Sequence, residues 1–176
     1  SDFGSFYRTS KQASELLIED YWERYALPFT ILRFGSLYGP RADDRNGVYR
    51  MLKQAIENQH IIYPGSGEES REYIHVFDAA EAAVDILDGK FKNENITLTG
   101  VEKMTSREML EMIKEMTRDT IKIEFENNAR PGHYIRTPYN YVPKLGKKLI
   151  RNTYVDLGQG LLDCMWEIDE ARNGET

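Results

Sequence analysis

The run at residues 28–34, PFTILRF, constrains the fold more than any other stretch of this chain. Its β-branched and aromatic residues form a nearly unbroken apolar series, which suits a strand covered on both faces, as in a parallel sheet under helices. Pro28 bars helix at one end, and Gly39-Pro40 closes the other. Before the run, Ala13, Leu16, Leu17, Tyr21 and Tyr25 recur at three- and four-residue steps, which predicts a helix over residues 7–25. After it, residues 46–58 read as a second helix and HIIYP as a short strand closed by the turn cluster PGSG. REYIHV alternates as a strand, and Asp78 is placed to cap the helix AAEAAVDIL. ITLTG and TIKIEFE are strand candidates on either side of a helix whose start, Thr105-Ser106-Arg107-Glu108, has the capping-box form. An irregular basic stretch with prolines follows over 130–143, and residues 155–172 predict a last helix. Strands alternating with helices at this spacing predict an α/β fold.

Charge and composition remove several function classes. The formal net charge of −6 argues against a general nucleic-acid binder, which needs a basic surface to displace counterions from phosphates. A local basic pocket is still allowed. Cys164 is the only cysteine, which leaves no disulfide framework, and its setting LLDCMWEI suits a small packing residue. His60, His75 and His133 show no ligand spacing, so no metal site is expected. No apolar run approaches the roughly 20 residues of a membrane helix, and nothing resembles a signal peptide. These features predict a cytoplasmic protein.

A tyrosine stands four residues before a lysine at Tyr7 and Lys11, in FYRTSKQASE, and again at Tyr49 and Lys53, in VYRMLKQAIEN. Four residues is about one helical turn, so each pair shares a face and can aim at a single ligand. A free tyrosine ionises near pH 10, at about 10 in model peptides, and a nearby ammonium favours the phenolate, which could then serve as a base. The spacing alone separates neither pair from an ordinary helix surface. No G-x-G-x-x-G occurs in the sequence. Gly65 and Gly67 lead into a strand, so no helix N-terminus is there to hold a pyrophosphate.

The order of motifs says more than any one of them. Tyr7-x-x-x-Lys11, then YALPFTILRFGSLYGPR, a helix, IIYPGSGEESREYIHVFDAAEAAVDIL, ARPGH, YVPKLGKKL and a terminal GLLDCMWE follow one another. This series resembles the C-terminal half of the extended short-chain dehydrogenase/reductases, in the NAD-dependent epimerase/dehydratase family that acts on nucleotide sugars. The resemblance implies the C-terminal part of a Rossmann-type doubly wound fold, with a smaller α/β substrate-binding domain. Residues 1–45 would be the remnant of the NAD-binding domain, and residues 46–176 mainly the substrate domain. The glycine-rich half that holds NAD would precede Ser1, so this chain alone is expected to be inactive.

By the same resemblance Tyr7 is the catalytic base and Lys11 its partner, both also touching NAD, with Phe34, Gly35 and Leu37 near the nicotinamide. Ser36 stands where many members carry an asparagine directed at the substrate's phosphates. Arg71 and Arg130 match arginines that grip the nucleotide diphosphate, and a guanidinium's planar fork suits paired phosphate oxygens. The competing reading for Arg71 is surface pairing with Glu68, Glu69 or Glu72. His133 replaces the aspartate that usually ends R-P-G-D. Tyr63 stands where relatives face the base, and Val48 and Leu52 would line the same pocket; core packing is the alternative for all three. Tyr49 and Lys53 are read as structural.

The resemblance implies a 4-epimerase-like reaction on a UDP-sugar through a 4-keto intermediate. A 4,6-dehydratase or decarboxylase of the same family, or a binding module without catalysis, is the alternative. It also implies a homodimer through the tyrosine helix, where Leu16, Leu17, Tyr21 and Tyr25 offer apolar surface beyond one stripe.

Overall fold

The computed structural model describes residues 6–101, 103–126, 140–141 and 144–174. The helix α1 spans Phe6–Tyr25 and is followed by strands β1 (Thr30–Phe34) and β2 (Ser36–Tyr38). The helix α2 (Gly47–Asn58), strands β3 (His60–Tyr63) and β4 (Ser70–His75), and helix α3 (Val76–Asp85) come next. A short 3-10 turn at Gly89–Phe91 leads to β5 (Glu94–Leu98), β6 (Lys103–Thr105), α4 (Ser106–Met116) and β7 (Lys122–Phe125). Two-residue strands β8 (Asn140–Tyr141) and β9 (Lys144–Leu145), then β10 (Lys147–Leu149) and α5 (Leu157–Gly174), complete the order.

Three sheets organise the described residues, beside the two-residue pair β8-β9. A parallel sheet runs β1-β5-β10, so strands distant in sequence share one layer. β4 lies parallel to β2 and antiparallel to β6. β3 pairs with β7 in parallel.

The larger core forms where α2, α4 and α5 meet. Val48, Met51, Leu52 and Ala55 recur at the helical period along α2, and they face Met109, Leu110 and Ile113 of α4 and Leu161, Cys164 and Ile168 of α5. Burying each large aliphatic side chain of this set contributes about 1.5–3 kcal/mol. A second, smaller core packs Ala79, Ala82 and Ile86 of α3 and its end against Ile96 and Leu98 of β5. The small residues of α3 let the helix lie close to the sheet.

Capping explains the helix starts. Asn46 accepts from Val48 and Tyr49 N–H and begins α2. The capping box of Thr105 and Glu108 begins α4. The start of α3 differs from the expectation: His75 is its N-cap, accepting from Phe77 N–H through Nδ1 at 3.3 Å. Asp78 instead lies in the first turn, where its buried carboxylate accepts from Val155 N–H at 3.0 and 3.2 Å. It thereby fixes the approach to α5.

β1 also departs from its expected burial on both faces. Only Ile31 is buried, Phe34 is exposed, and β5 is its one partner among the described residues. α1 buries none of its side chains. A two-pronged ion pair ties it to β1, with Arg33 Nε donating to Glu15 Oε1 at 2.8 Å and Nη2 to Oε2 at 2.6 Å.

Candidate functional site

A cleft of about 230 Å³ opens where β2, the first turns of α2, the end of β3 and the start of β4 converge. Ser36 pairs in register with Tyr73, and Arg71 lies two residues before Tyr73, so these side chains share one sheet face. Asn46 connects two walls: its oxygen caps α2 while Nδ2 donates to the Leu37 carbonyl at 2.8 Å. Gln54 joins α2 to β3 by accepting from Ile62 N–H at 2.9 Å.

The cleft gathers Ser36, Leu37, Val48, Tyr63 and Arg71 from the residues singled out in the sequence. It also contains Asn46, Arg50, Gln54 and Ser106, which the sequence reading passed over as ligand contacts. Asn46 and Ser106 were legible there only as helix starts. Leu52 does not line this cleft. It is fully buried, at 0% exposure, because its position on α2 turns it into the three-helix core, and the expected ligand contact becomes a packing role. Arg130 lies outside the described residues, as does His133.

Among the described residues, the charged ones that line the cleft are Arg50, Arg71 and Glu69. Arg71 Nη1 donates to the Ser70 carbonyl at 2.9 Å, and among the described residues it makes no ion pair. Of the acids that could compete for Arg71, Glu68 and Glu72 pair with other cations, while Glu69 lines the same cleft. Glu68 meets Arg107, Glu72 meets Lys148, and the Glu69 carboxylate accepts from Ser66 and Gly67 N–H. The two phenols beside Arg71 stay protonated near neutrality: burial raises Tyr63 above the ordinary tyrosine range and pushes Tyr73 up to about 12.

Tyr7 and Lys11 lie together on α1, outside this cleft's lining. Lys11 Nζ sits 5.4 Å from the centre of the Tyr7 ring, and Tyr7 is 70% exposed. The second pair adopts nearly the same arrangement, with Lys53 Nζ 5.8 Å from the Tyr49 ring. Their surroundings separate them, since Lys53 is paired with Asp44 at 3.3 Å and Tyr49 packs against the core. Glu15 follows Lys11 by four residues, as Lys11 follows Tyr7. Its pairing with Arg33 sets Glu15, one turn beyond Lys11, against β1. Phe34 and Leu37 are exposed at the ends of adjoining strands. Gly35 has a reason of its own to be glycine, because a Cβ there would come within 2.6 Å of the Glu72 carbonyl oxygen. Tyr7, Lys11, Phe34 and Leu37 are all exposed; the sequence contains no glycine-rich turn for a pyrophosphate.

The model of the NAD dependent epimerase/dehydratase family matches residues 3–99. The chain belongs to this family. A dTDP-D-glucose 4,6-dehydratase from Homo sapiens is 27% identical over 141 residues, covering 75% of this chain and 39% of that protein. A UDP-N-acetyl-alpha-D-glucosaminuronate decarboxylase from Bacillus cytotoxicus is 30% identical over 122 residues, covering 66% of this chain and 37% of that protein. This member thus spans well under half the length of these curated relatives. Among solved structures, UDP-glucuronic acid 4-epimerase from Bacillus cereus, with UDP-glucuronic acid and NAD, superposes with a TM-score of 0.79 at 22% identity. That match covers 94% of this chain and 52% of the epimerase. The fold is thus the Rossmann-type α/β arrangement of these enzymes. Among the described residues, no helix is long and apolar enough to cross a membrane.

Proposed function

We propose that this chain supplies the substrate-binding part of an NAD-dependent nucleotide-sugar epimerase of the 4-epimerase type, with a UDP-sugar as ligand. The observation that carries the reading is the cleft that assembles Ser36, Val48, Tyr63 and Arg71 from β2, α2, β3 and β4. An arginine with no carboxylate partner among the described residues, beside an aromatic wall, suits a diphosphate joined to a planar base. Ser36 offers one hydroxyl on the same sheet face as Arg71. Arg130 is proposed as a second cation for the diphosphate.

Tyr7 would take the proton from the sugar's 4-hydroxyl, and Lys11 would favour the phenolate by its charge and contact the cofactor's ribose. Phe34, Gly35 and Leu37 would flank the nicotinamide. NAD, when bound, supplies a hydride acceptor and donor at that carbon. Residues 1–45 are proposed as the cofactor side and residues 46–176 as mainly the substrate side, in a cytoplasmic protein. The chain by itself is not expected to turn over substrate, having no glycine-rich turn. The exposed Leu16, Leu17, Tyr21 and Tyr25 of α1 are proposed as the surface of a homodimer. The dehydratase and decarboxylase named above favour a second reading, in which the same cleft serves one of those reactions.

Calorimetric titration with UDP-, dTDP- and GDP-sugars tests the proposal. Selective binding of UDP-sugars, lost at least 10-fold in Arg71→Ala, is the expected outcome; a bidentate charge-assisted contact is worth about 1.5–3 kcal/mol. Unchanged affinity in Arg71→Ala contradicts it.

A further inference from the structure

The loop between β3 and β4 forms one rim of the cleft, and the start of α4 holds it. Ser106 N–H donates to the Glu69 carbonyl at 2.9 Å, and Arg107 N–H donates to the Gly67 carbonyl, also at 2.9 Å. Both belong to the first-turn N–H groups that a helix leaves without internal partners. Arg107 adds a side-chain bond from Nη2 to the Ser66 carbonyl at 2.9 Å, and its guanidinium lies 4.2 Å from the centre of the Phe125 ring. The Glu69 carboxylate folds back onto Ser66 and Gly67 N–H. The rim is therefore a closed hydrogen-bonded unit seated on one helix end.

At its centre is the Ser106 hydroxyl, in a residue only 3% exposed. Ser106 Oγ accepts from the Tyr63 phenol at 2.7 Å and donates to the Glu69 carbonyl at 3.2 Å. One oxygen thus joins the last residue of β3, the loop that enters β4 just before Arg71, and the helix α4. The Tyr63 ring is held from another side by Phe125, edge to face with centroids 6.0 Å apart. The phenol donates to Ser106 and also has the Glu69 carboxylate within hydrogen-bonding reach, so its polar end is engaged by the rim. Tyr63 presents a ring fixed in place.

We propose that Ser106 is the positioning residue of this cleft, tethering Tyr63 so that the ring meets the nucleotide as a flat surface rather than as a hydrogen-bond donor. The inference rests on the nucleotide-sugar reading above. It goes further in assigning to a residue at a helix start the geometry of ligand recognition on a different strand. Ordering the ring before binding lowers the cost of immobilising it in the complex.

The test titrates the chain with UDP, using Ser106→Ala, Tyr63→Phe, the double variant and Arg71→Ala, at a temperature where circular dichroism shows every variant native. Ser106→Ala and Tyr63→Phe should each raise the UDP Kd about 3- to 10-fold, the scale of one lost hydrogen bond. The double variant should be no weaker than either single one, because both remove the same tether. Wild-type Kd in both single variants, with or without a lowered melting temperature, overturns the positioning role. So do losses that multiply in the double variant. Arg71→Ala separates the two claims: if it binds UDP as tightly as the wild type, or if the wild type binds none, the cleft reading falls and the inference with it. If Arg71→Ala is weakened and Ser106→Ala is not, only the inference falls.

Discussion

Replacing Glu15 by glutamine should loosen α1 while leaving the three-helix core intact. The helix buries no side chain among the described residues, so apolar packing contributes little to holding it in place. Most helical stability in proteins comes from tertiary packing of an apolar face, which this twenty-residue helix has little of. The Arg33–Glu15 pair is two-pronged at 2.8 and 2.6 Å, and the side chains are only 11% and 22% exposed. A fully exposed pair would be worth about 0–1 kcal/mol. Hydrogen bonds to charged groups contribute about 1.5–3 kcal/mol, and glutamine keeps one neutral bond while removing the Glu15 charge that faces the guanidinium. A loss of about 2 kcal/mol is therefore expected, which is about 30-fold in the local opening equilibrium. Hydrogen exchange read by mass spectrometry should show α1 peptides exchanging about 30-fold faster in Glu15→Gln, with α2, α4 and α5 unchanged. Equal α1 protection in the two proteins would refute the reasoning, because something other than this pair would then be holding the helix.

Three further outcomes follow from the same structure. Gly35→Ala places a methyl within 2.6 Å of a backbone oxygen that cannot rotate away, and should cost about 1–3 kcal/mol in urea unfolding. Burial, with the charges of Glu167 and Asp163 adding to it, pushes the Cys164 thiol from 9.0 to about 11. Thiol labelling at pH 8 should therefore be slow until the chain unfolds, and stability should fall as pH rises from 9 toward 11, where only the unfolded thiol ionises. Burial lowers His75 below its ordinary 6.5, with Asp78 and Asp163 opposing. Its contribution is complete above that value and is lost as pH falls, because the unfolded imidazole takes up the proton first; the urea midpoint of His75→Gln should depend less steeply on pH over this range.

Local pattern carried most of the element reading. Residues 7–25 were read as helix and form Phe6–Tyr25, and the capping box at Thr105 and Glu108 appears as such. Both depend on near neighbours along the chain. The pairing of β1 with β5, of β5 with β10, and of β3 with β7 is set by contacts across more than about 50 residues and has no local signature. Asp78 looked like a cap because aspartate usually is one, yet the imidazole of His75 takes that role and frees the carboxylate for Val155. Val48 and Leu52 share the apolar face of α2 and are both buried in the three-helix core, yet only Val48 also reaches the cleft. The Tyr-Lys spacing produced the same ring-and-ammonium geometry twice. Only the surroundings tell the pairs apart.

The claim that the cleft at β2, α2 and β3 is where the nucleotide binds is tested most directly by amide NMR during titration with UDP-glucose. The expected result is that perturbed resonances cluster at Ser36–Leu37, Gly47–Met51, Tyr63, Glu69–Arg71 and Ser106. Saturable shifts confined to surfaces away from these residues, or no shifts at millimolar UDP-glucose, would contradict the account.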